Sequence, residues 1–235
     1  MKSINKMALV TGLLALSGVS QAQFSSTWTA VSDYDFRGFS QSAKNPALQG
    51  SADYAVGESG FSFGAWASNV DFDIDEDVEL DVYANYAGKV NDAISLTAGG
   101  TWYDYPMGNE LSGYPEFYIG LNAGNFSFKQ WYSNDFYAGG DGAQYSEANY
   151  TQPIGEKFSL AFHLGYSWGD YWESGPGLGE LIDYAVQANF TAGNFTIFAK
   201  FTGTDSDDSQ EITDDVLNNE PRGLIGVMTT FPWGD

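Results

Sequence analysis

The sequence predicts an all-β protein: an antiparallel, up-and-down transmembrane β-barrel of about twelve strands. Three observations carry this prediction. Apolar and polar residues alternate with period two over segments that mostly run about nine to eleven residues, the span of a tilted membrane strand. Short and long connectors alternate along the whole chain. Aromatic residues collect at the segment ends, where interfacial girdles would place them.

The chain opens with Lys2 and Lys6, an apolar run over 7–19, and then Ser20, Gln21 and Ala22. A positive end, a short apolar core and small residues at a cleavage site define a secretory signal peptide. The run is too short to span a bilayer as a helix. Residues 1–22 are therefore read as signal and 23–235 as one domain.

The first segment covers 24–36, and further segments are predicted at 48–56 and 61–70. Residues 78–86 set Val78, Leu80, Val82, Ala84 and Tyr86 against Glu79, Asp81, Tyr83 and Asn85. Residues 94–102 follow with Ile94, Leu96, Ala98, Gly100 and Trp102 on one face. Segments at 115–123, 126–133 and 143–152 come next. In 158–168 Phe158, Leu160, Phe162, Leu164, Tyr166 and Trp168 oppose Ser159, Ala161, His163, Gly165 and Ser167. The stretch 182–190 repeats the pattern, with Asp183 on its polar face, and 195–203 and 222–231 complete the twelve.

The connectors at 57–60, 89–93, 124–125, 153–157 and 193–194 are short and hold the glycine, asparagine and proline of tight turns. Those near 37–47, 71–77, 104–114, 134–142, 169–181 and 204–221 are longer. A meander with tight turns on one rim and free loops on the other gives this rhythm, and outer-membrane barrels have it. Both termini then lie on the short-turn, periplasmic side. A soluble sandwich shares the alternation. Segment length, strand-end aromatics such as Trp28, Tyr34, Phe36, Trp102, Tyr103 and Phe195, and faces that stay polar throughout favour the barrel.

Composition removes other classes. Cleavage after Ala22 would leave seven of the nine basic residues against all 31 acids. That balance argues against nucleic acid and against a basic surface for anionic headgroups. There is no cysteine and one histidine, so disulfides, thiol chemistry and multi-histidine metal sites are excluded. No segment of 23–235 reaches eighteen apolar residues, so no membrane helix is predicted. With 17% aromatic residues the chain is too apolar for acidic disorder.

The lumen candidates are Asp33, Asp35, Arg37, Asp53, Glu79, Asp81, Glu116, Lys129, Glu147, Asp183 and Lys200, with acids in excess. Such a lumen favours cations; the alternative is that these residues pair across a closed core. Arg37 is expected at the outer end of the first strand, beside Asp33 and Asp35 and holding both. His163 faces the polar side between Ser159 and Ser167, and Asp183 follows on the next strand. A serine, histidine and carboxylate could hydrolyse lipid, but a hydrogen-bonded lumen histidine is the default. Asp71, Asp73 and Asp75 in one loop and Asp205, Asp207 and Asp208 in another are oxygen ligands suited to weak divalent binding. They lack EF-hand spacing, and a plain solvated acidic rim is the better reading.

Residues 32–106 carry a specific order of motifs: Ser32-Asp33-Tyr34, Phe36-Arg37-Gly38, Ser40-Gln41-Ser42, Pro46-Ala47, Gln49-Gly50 and Asp53-Tyr54. Gly60-Phe61, Gly64, Trp66, Ser68-Asn69-Val70-Asp71-Phe72, Glu79-Leu80-Asp81, Tyr83, Tyr86, Tyr103, Tyr105 and Pro106 follow. This stretch resembles the porin-like bacterial outer-membrane family called Gcw_chp, proteins of unknown function. The resemblance implies an outer-membrane barrel with a pore role, contacting membrane lipid and small solutes or ions, and implies no substrate or cofactor. One departure stands out. Outer-membrane barrels commonly end in an aromatic residue, whereas this chain ends Phe231-Pro232-Trp233-Gly234-Asp235. Passive diffusion of small hydrophilic solutes or ions is the function expected; a plugged structural or surface-interaction barrel is the alternative.

Overall fold

The computed structural model describes residues 24–107, 111–174, 179–206 and 210–233. The segment read as a signal peptide, and Asp207 and Asp208, lie outside them. Twelve antiparallel strands close into one barrel. In chain order they are β1 (Phe24–Val31), β4 (Ala47–Ala55), β5 (Phe61–Asn69), β6 (Val78–Lys89), β7 (Ile94–Asp104) and β8 (Tyr114–Ala123). Then come β9 (Phe126–Ser133), β10 (Ala143–Ile154), β11 (Phe158–Trp168), β12 (Leu181–Ala192), β13 (Phe195–Thr204) and β14 (Arg222–Phe231). The two-residue strands β2 (Asp35–Phe36) and β3 (Phe39–Ser40) form a separate hairpin.

Each barrel strand pairs with its sequence neighbour, and β14 closes the ring on β1 with Trp28 opposite Thr229 and Ser26 opposite Phe231. Phe231, the last residue of β14, therefore occupies the end of the closing strand despite the shifted C-terminus. Closure removes every free edge, so backbone donors and acceptors are satisfied without water.

The pleat sorts the side chains. Phe162 and Leu164 of β11 meet Val186 and Tyr184 of β12 on the outer face, while His163 meets Ala185 and Gly165 meets Asp183 inside. Ile119 and Ile225 point outward and are each 68% exposed, a burden that hydrocarbon relieves and water does not. The interior is the reverse: Glu79, Glu116, Lys129, Glu147 and Asp183 are buried there.

Three features differ from the sequence prediction. The first strand was expected over 24–36 but ends at Val31. Arg37 (φ 52°) and Gly38 (φ 88°) adopt left-handed backbone that no strand continues through, and residues 32–46 fold back into the barrel mouth. Tyr34, Phe36 and Tyr103 were assigned to an interfacial girdle. Tyr34 and Tyr103 are buried and Phe36 packs on Tyr103 (6.1 Å), so all three belong to the interior. Trp102, one residue before Tyr103, remains exposed on the outer face, as period two requires. The long connectors also hold a 3-10 turn (Phe136–Ala138) and a short helix, α1 (Asp170–Ser174).

An apolar cluster seals the long-loop end. Phe39, Tyr103, Tyr105, Tyr114, Phe136 and Trp172 are buried together, and Phe136 is 0% exposed. Tyr103 stacks on Tyr114 at 4.8 Å, and Phe39 stacks on Trp172 at 6.2 Å.

Candidate functional site

The inward segment 32–46 is held by its own polar residues and by the wall. Ser40 Oγ donates to Asp33 Oδ1 (2.5 Å), and Ser42 Oγ accepts from the Tyr34 amide (2.9 Å). The Ser40 amide bonds Asn218 O (2.8 Å) in the connector between β13 and β14. Arg222, at the start of β14, is the main clamp. Its Nε meets Asp33 Oδ2 and its Nη2 meets Asp35 Oδ1, both at 2.7 Å, while Nη1 donates to Gly38 O at 2.6 Å. Lys200 Nζ adds a 2.6 Å bond to Asp35 Oδ2. Burial alone would raise the Asp35 carboxyl, but Lys200 and Arg222 more than offset it and hold it below its usual value.

The expected grip of Arg37 on Asp33 and Asp35 is corrected. The turn at Arg37 and Gly38 carries the guanidinium across the lumen to Glu116 of β8, which it meets through two bonds of 3.0 and 2.7 Å. The same group lies over the Tyr145 ring at 4.1 Å. Burial alone would lower its proton affinity, and Glu116 more than reverses that effect. Gly38 leaves room for this path: a Cβ there would lie 2.6 Å from Thr204 Cγ2.

Beneath the segment, the β9–β12 wall carries a second network. Trp131 Nε1 donates to Glu147 Oε1 (2.8 Å), and Asn149 Nδ2 donates to Glu147 Oε2 (3.0 Å). His163 sits between Asn149 Oδ1 (2.7 Å from Nδ1) and Asp183 Oδ1 (2.8 Å from Nε2), with the Tyr145 hydroxyl 2.9 Å from Nε2. No serine appears among its hydrogen-bond partners in the described residues, and Ser159 Oγ instead accepts from Asn189 (3.2 Å). A serine–histidine pair for hydrolysis is therefore not assembled. Lys129 lies over the Tyr118 ring at 4.6 Å and the Trp131 ring at 5.0 Å.

The opposite wall, β4–β6, differs in charge. Asp53 accepts from the Tyr83 hydroxyl (2.5 Å) and Ser51 Oγ (2.8 Å), and Glu79 accepts from the Tyr34 hydroxyl (3.0 Å). Asp81 Oδ1 is buried with no hydrogen-bond partner among the described residues. Among the described residues none of these three carboxylates joins an ion pair, whereas Arg37, Lys200 and Arg222 all do.

Between the walls is a cavity of about 980 Å³. It runs from Ser25, Gly57, Asn194 and Trp233 at the short-turn rim up to Asp33, Tyr34, Asp35, Phe36 and Arg37, and it ends below the apolar cluster. Asp53, Asp81, Lys129, His163, Asp183 and Lys200 line it. Glu79 and Glu116 stand at its upper end, covered by Tyr34 and Arg37. Family-motif residues divide between the segment (Ser32 to Gln41) and the first walls. Gln49 and Trp66 line the cavity, Gly50 lies opposite Trp28 in the β1–β4 pair, and Asn69 Oδ1 accepts the Leu48 amide. Asp71 and Asp73 stay at the solvated rim with Asp75, and Asp205 Oδ1 accepts the Ile182 amide at 2.8 Å. No group of three potential ligands able to hold a metal ion occurs among the described residues.

Arg222 was not among the sequence candidates, nor were Tyr145 and Trp131. Trp131 and Tyr145 share a strand face with Lys129 and Glu147, which the sequence already offers as lumen residues; nothing in β14 singles out Arg222, because the inward loop it binds has no sequence signal.

A family model described as a bacterial protein of unknown function (Gcw_chp) matches residues 15–230. No curated relative matches the sequence. Among solved structures, the KdgM porin aligns at a TM-score of 0.56 and 12% identity, covering 88% of this chain and 99% of that one. The KdgM porin in complex with disordered oligogalacturonate aligns at 0.54 and 12%, covering 88% and 99%. The NanC porin in its rhombohedral crystal form aligns at 0.54 and 11%, covering 87% and 98%. At such identities the likeness is one of fold.

Proposed function

The chain belongs to the Gcw_chp family, and from that membership, the closed barrel and its polar lumen we propose that it is a porin-like channel of a bacterial outer membrane. It passes small hydrophilic solutes or ions without a covalent step and prefers cations. The observation that carries this reading is the cavity itself: about 980 Å³ of space lined by charged, polar and aromatic side chains, inside a barrel whose outer face is apolar. Residues 1–22 act as the export signal. Both termini and the open end of the cavity lie on the periplasmic side, because β1 begins and β14 ends at the short-turn rim.

Cation preference rests on the wall of Asp53, Glu79 and Asp81, none of which pairs with a base among the described residues, and on the acidic long-loop rim. Carboxylates so placed concentrate cations within about 10 Å at 0.1 M salt, and the preference fades toward 1 M. The test is a reversal potential across a salt gradient, with and without chelator, and again after neutralising Asp205, Asp207 and Asp208. Anion preference in both chelator conditions contradicts the reading. Cation preference that survives the loop changes assigns it to the lumen wall.

A second reading, a plugged surface barrel, is favoured by one observation: the buried cluster around Phe136 closes the long-loop end among the described residues. On the channel reading, segment 32–46 is the element that limits flow.

A further inference from the structure

The β4–β6 wall carries an arrangement that general conduction does not require. Asp81 lies opposite Trp66 on β5 and opposite Tyr103 on β7, with all three side chains pointing inward. Facing positions on neighbouring strands sit within about 4.5–5.5 Å, so the carboxylate stands between two rings. The inward segment adds two more: Tyr34 lies 5.3 Å from Trp66, and Phe36 lies 6.1 Å from Tyr103. All five residues line the blind end of the cavity. Asp81 is 8% exposed, and its Oδ1 has no hydrogen-bond partner among the described residues.

We propose that this blind end is a binding site for a small organic cation, an alkylammonium, with Asp81 as its anchor and the rings of Trp66, Tyr34, Phe36 and Tyr103 as its walls.

The chemistry selects that class. Ring faces attract a cation, most strongly where water is excluded. A buried carboxyl group with an unused acceptor either keeps its proton or takes a positive partner, and a bound cation favours the charged form. Both lumen arginines and Lys200 are engaged elsewhere, Arg37 with Glu116, and Lys200 and Arg222 with Asp33 and Asp35, and Lys129 lies over the Tyr118 and Trp131 rings. Glu79, on the same strand, adds to the negative field, and so does Asp53 lower down the wall. Anions are repelled. A bare metal ion would find too few oxygens, since no group of three potential ligands able to hold one occurs among the described residues. The proposal rests on the reading that solutes reach the lumen from the short-turn rim.

The experiment is calorimetric titration of the purified full chain, folded in a non-ionic detergent, with choline chloride as probe. Its uncharged carbon isostere, dimethylbutanol, is the control. The expected result is saturable choline binding, about tenfold or more tighter than the isostere. Asp81→Asn weakens it by a similar factor, and Trp66→Leu weakens it while leaving the heat-dependent gel shift of the folded barrel intact. Absent saturation in wild type, equal binding of the isostere, or unchanged affinity in Asp81→Asn overturns the proposal. Should Asp81→Asn not fold, Trp66→Leu and the isostere decide. Binding in detergent needs no ion flow. A silent bilayer with choline bound therefore contradicts the channel alone, and conduction without choline binding contradicts this site alone.

Discussion

Arg37 and Glu116 meet across the lumen through two parallel hydrogen bonds, with side chains 7% and 1% exposed. This fork joins the tip of the inward segment to β8, far from the strand that delivers it. Removing one member leaves a buried charge without its partner, which typically costs about 3–5 kcal/mol. Arg37→Ala is expected to lower stability to denaturant in detergent by roughly that amount. Arg37→Ala combined with Glu116→Ala should recover part of the loss, and Arg37→Lys should fall between, since lysine cannot form the fork. Equal stability of wild type and Arg37→Ala would make the pair incidental.

Acid should release the inward segment. Lys200 and Arg222 hold the Asp35 carboxyl below its usual value despite burial. A depressed carboxylate stabilises the fold fully above its unfolded pKa of about 3.9, and the contribution is lost as pH falls through the lower folded value. Protection factors of the amides in 32–46, with the intrinsic pH dependence of exchange divided out, should therefore hold steady between pH 5 and 7 and fall below about pH 4. Asp35→Asn should exchange faster at neutral pH and lose its share of the acid dependence. A wild-type segment equally protected at pH 3 and pH 7 would contradict the clamp.

Gly38 tests the backbone path. Alanine there meets both a left-handed φ of 88° and a contact of 2.6 Å with Thr204 Cγ2. Gly38→Ala should cost about 1–3 kcal/mol through overpacking and should loosen the Arg222 bond to Gly38 O. Gly57, also left-handed but with open space around its Cβ, is the matched control. Gly57→Ala carries only the backbone strain, so equal losses at the two positions would remove the packing argument.

Membrane placement has a single-residue test at Ile119. An arginine on the lipid face near midplane costs about 2–4 kcal/mol, whereas an exposed isoleucine on a soluble protein accepts arginine at almost no cost. Ile119→Arg should fold poorly into lipid vesicles, judged by the heat-dependent gel shift. Unimpaired folding would favour a soluble barrel.

The barrel was legible because its physics is local. Period two in 158–168 and 182–190 fixes which residues face out of the barrel, and glycine and asparagine at 124–125 and 193–194 fix the tight turns. The inward segment was not legible, because nothing in 32–46 states which distant charge each residue meets. Asp33, Asp35 and Arg37 look like mutual partners at spacing two. Their true partners, Arg222, Lys200 and Glu116, lie between 79 and 189 positions away. Alternation of the first strand ran on into this segment for the same reason: Tyr34 and Phe36 fit the period, and only the positive φ at Arg37 and Gly38 shows that the chain has turned inward.

Ion flow tests the central claim most directly. Purified full-length protein in planar bilayers should give discrete conductance steps at neutral pH, larger in Arg37→Ala, where the inward segment loses its hold on β8. Steps of wild-type protein, together with that increase, are the predicted result. A barrel that shows the heat-dependent gel shift and inserts into the bilayer, yet stays silent as wild type and as Arg37→Ala, would contradict the channel and leave the plugged barrel.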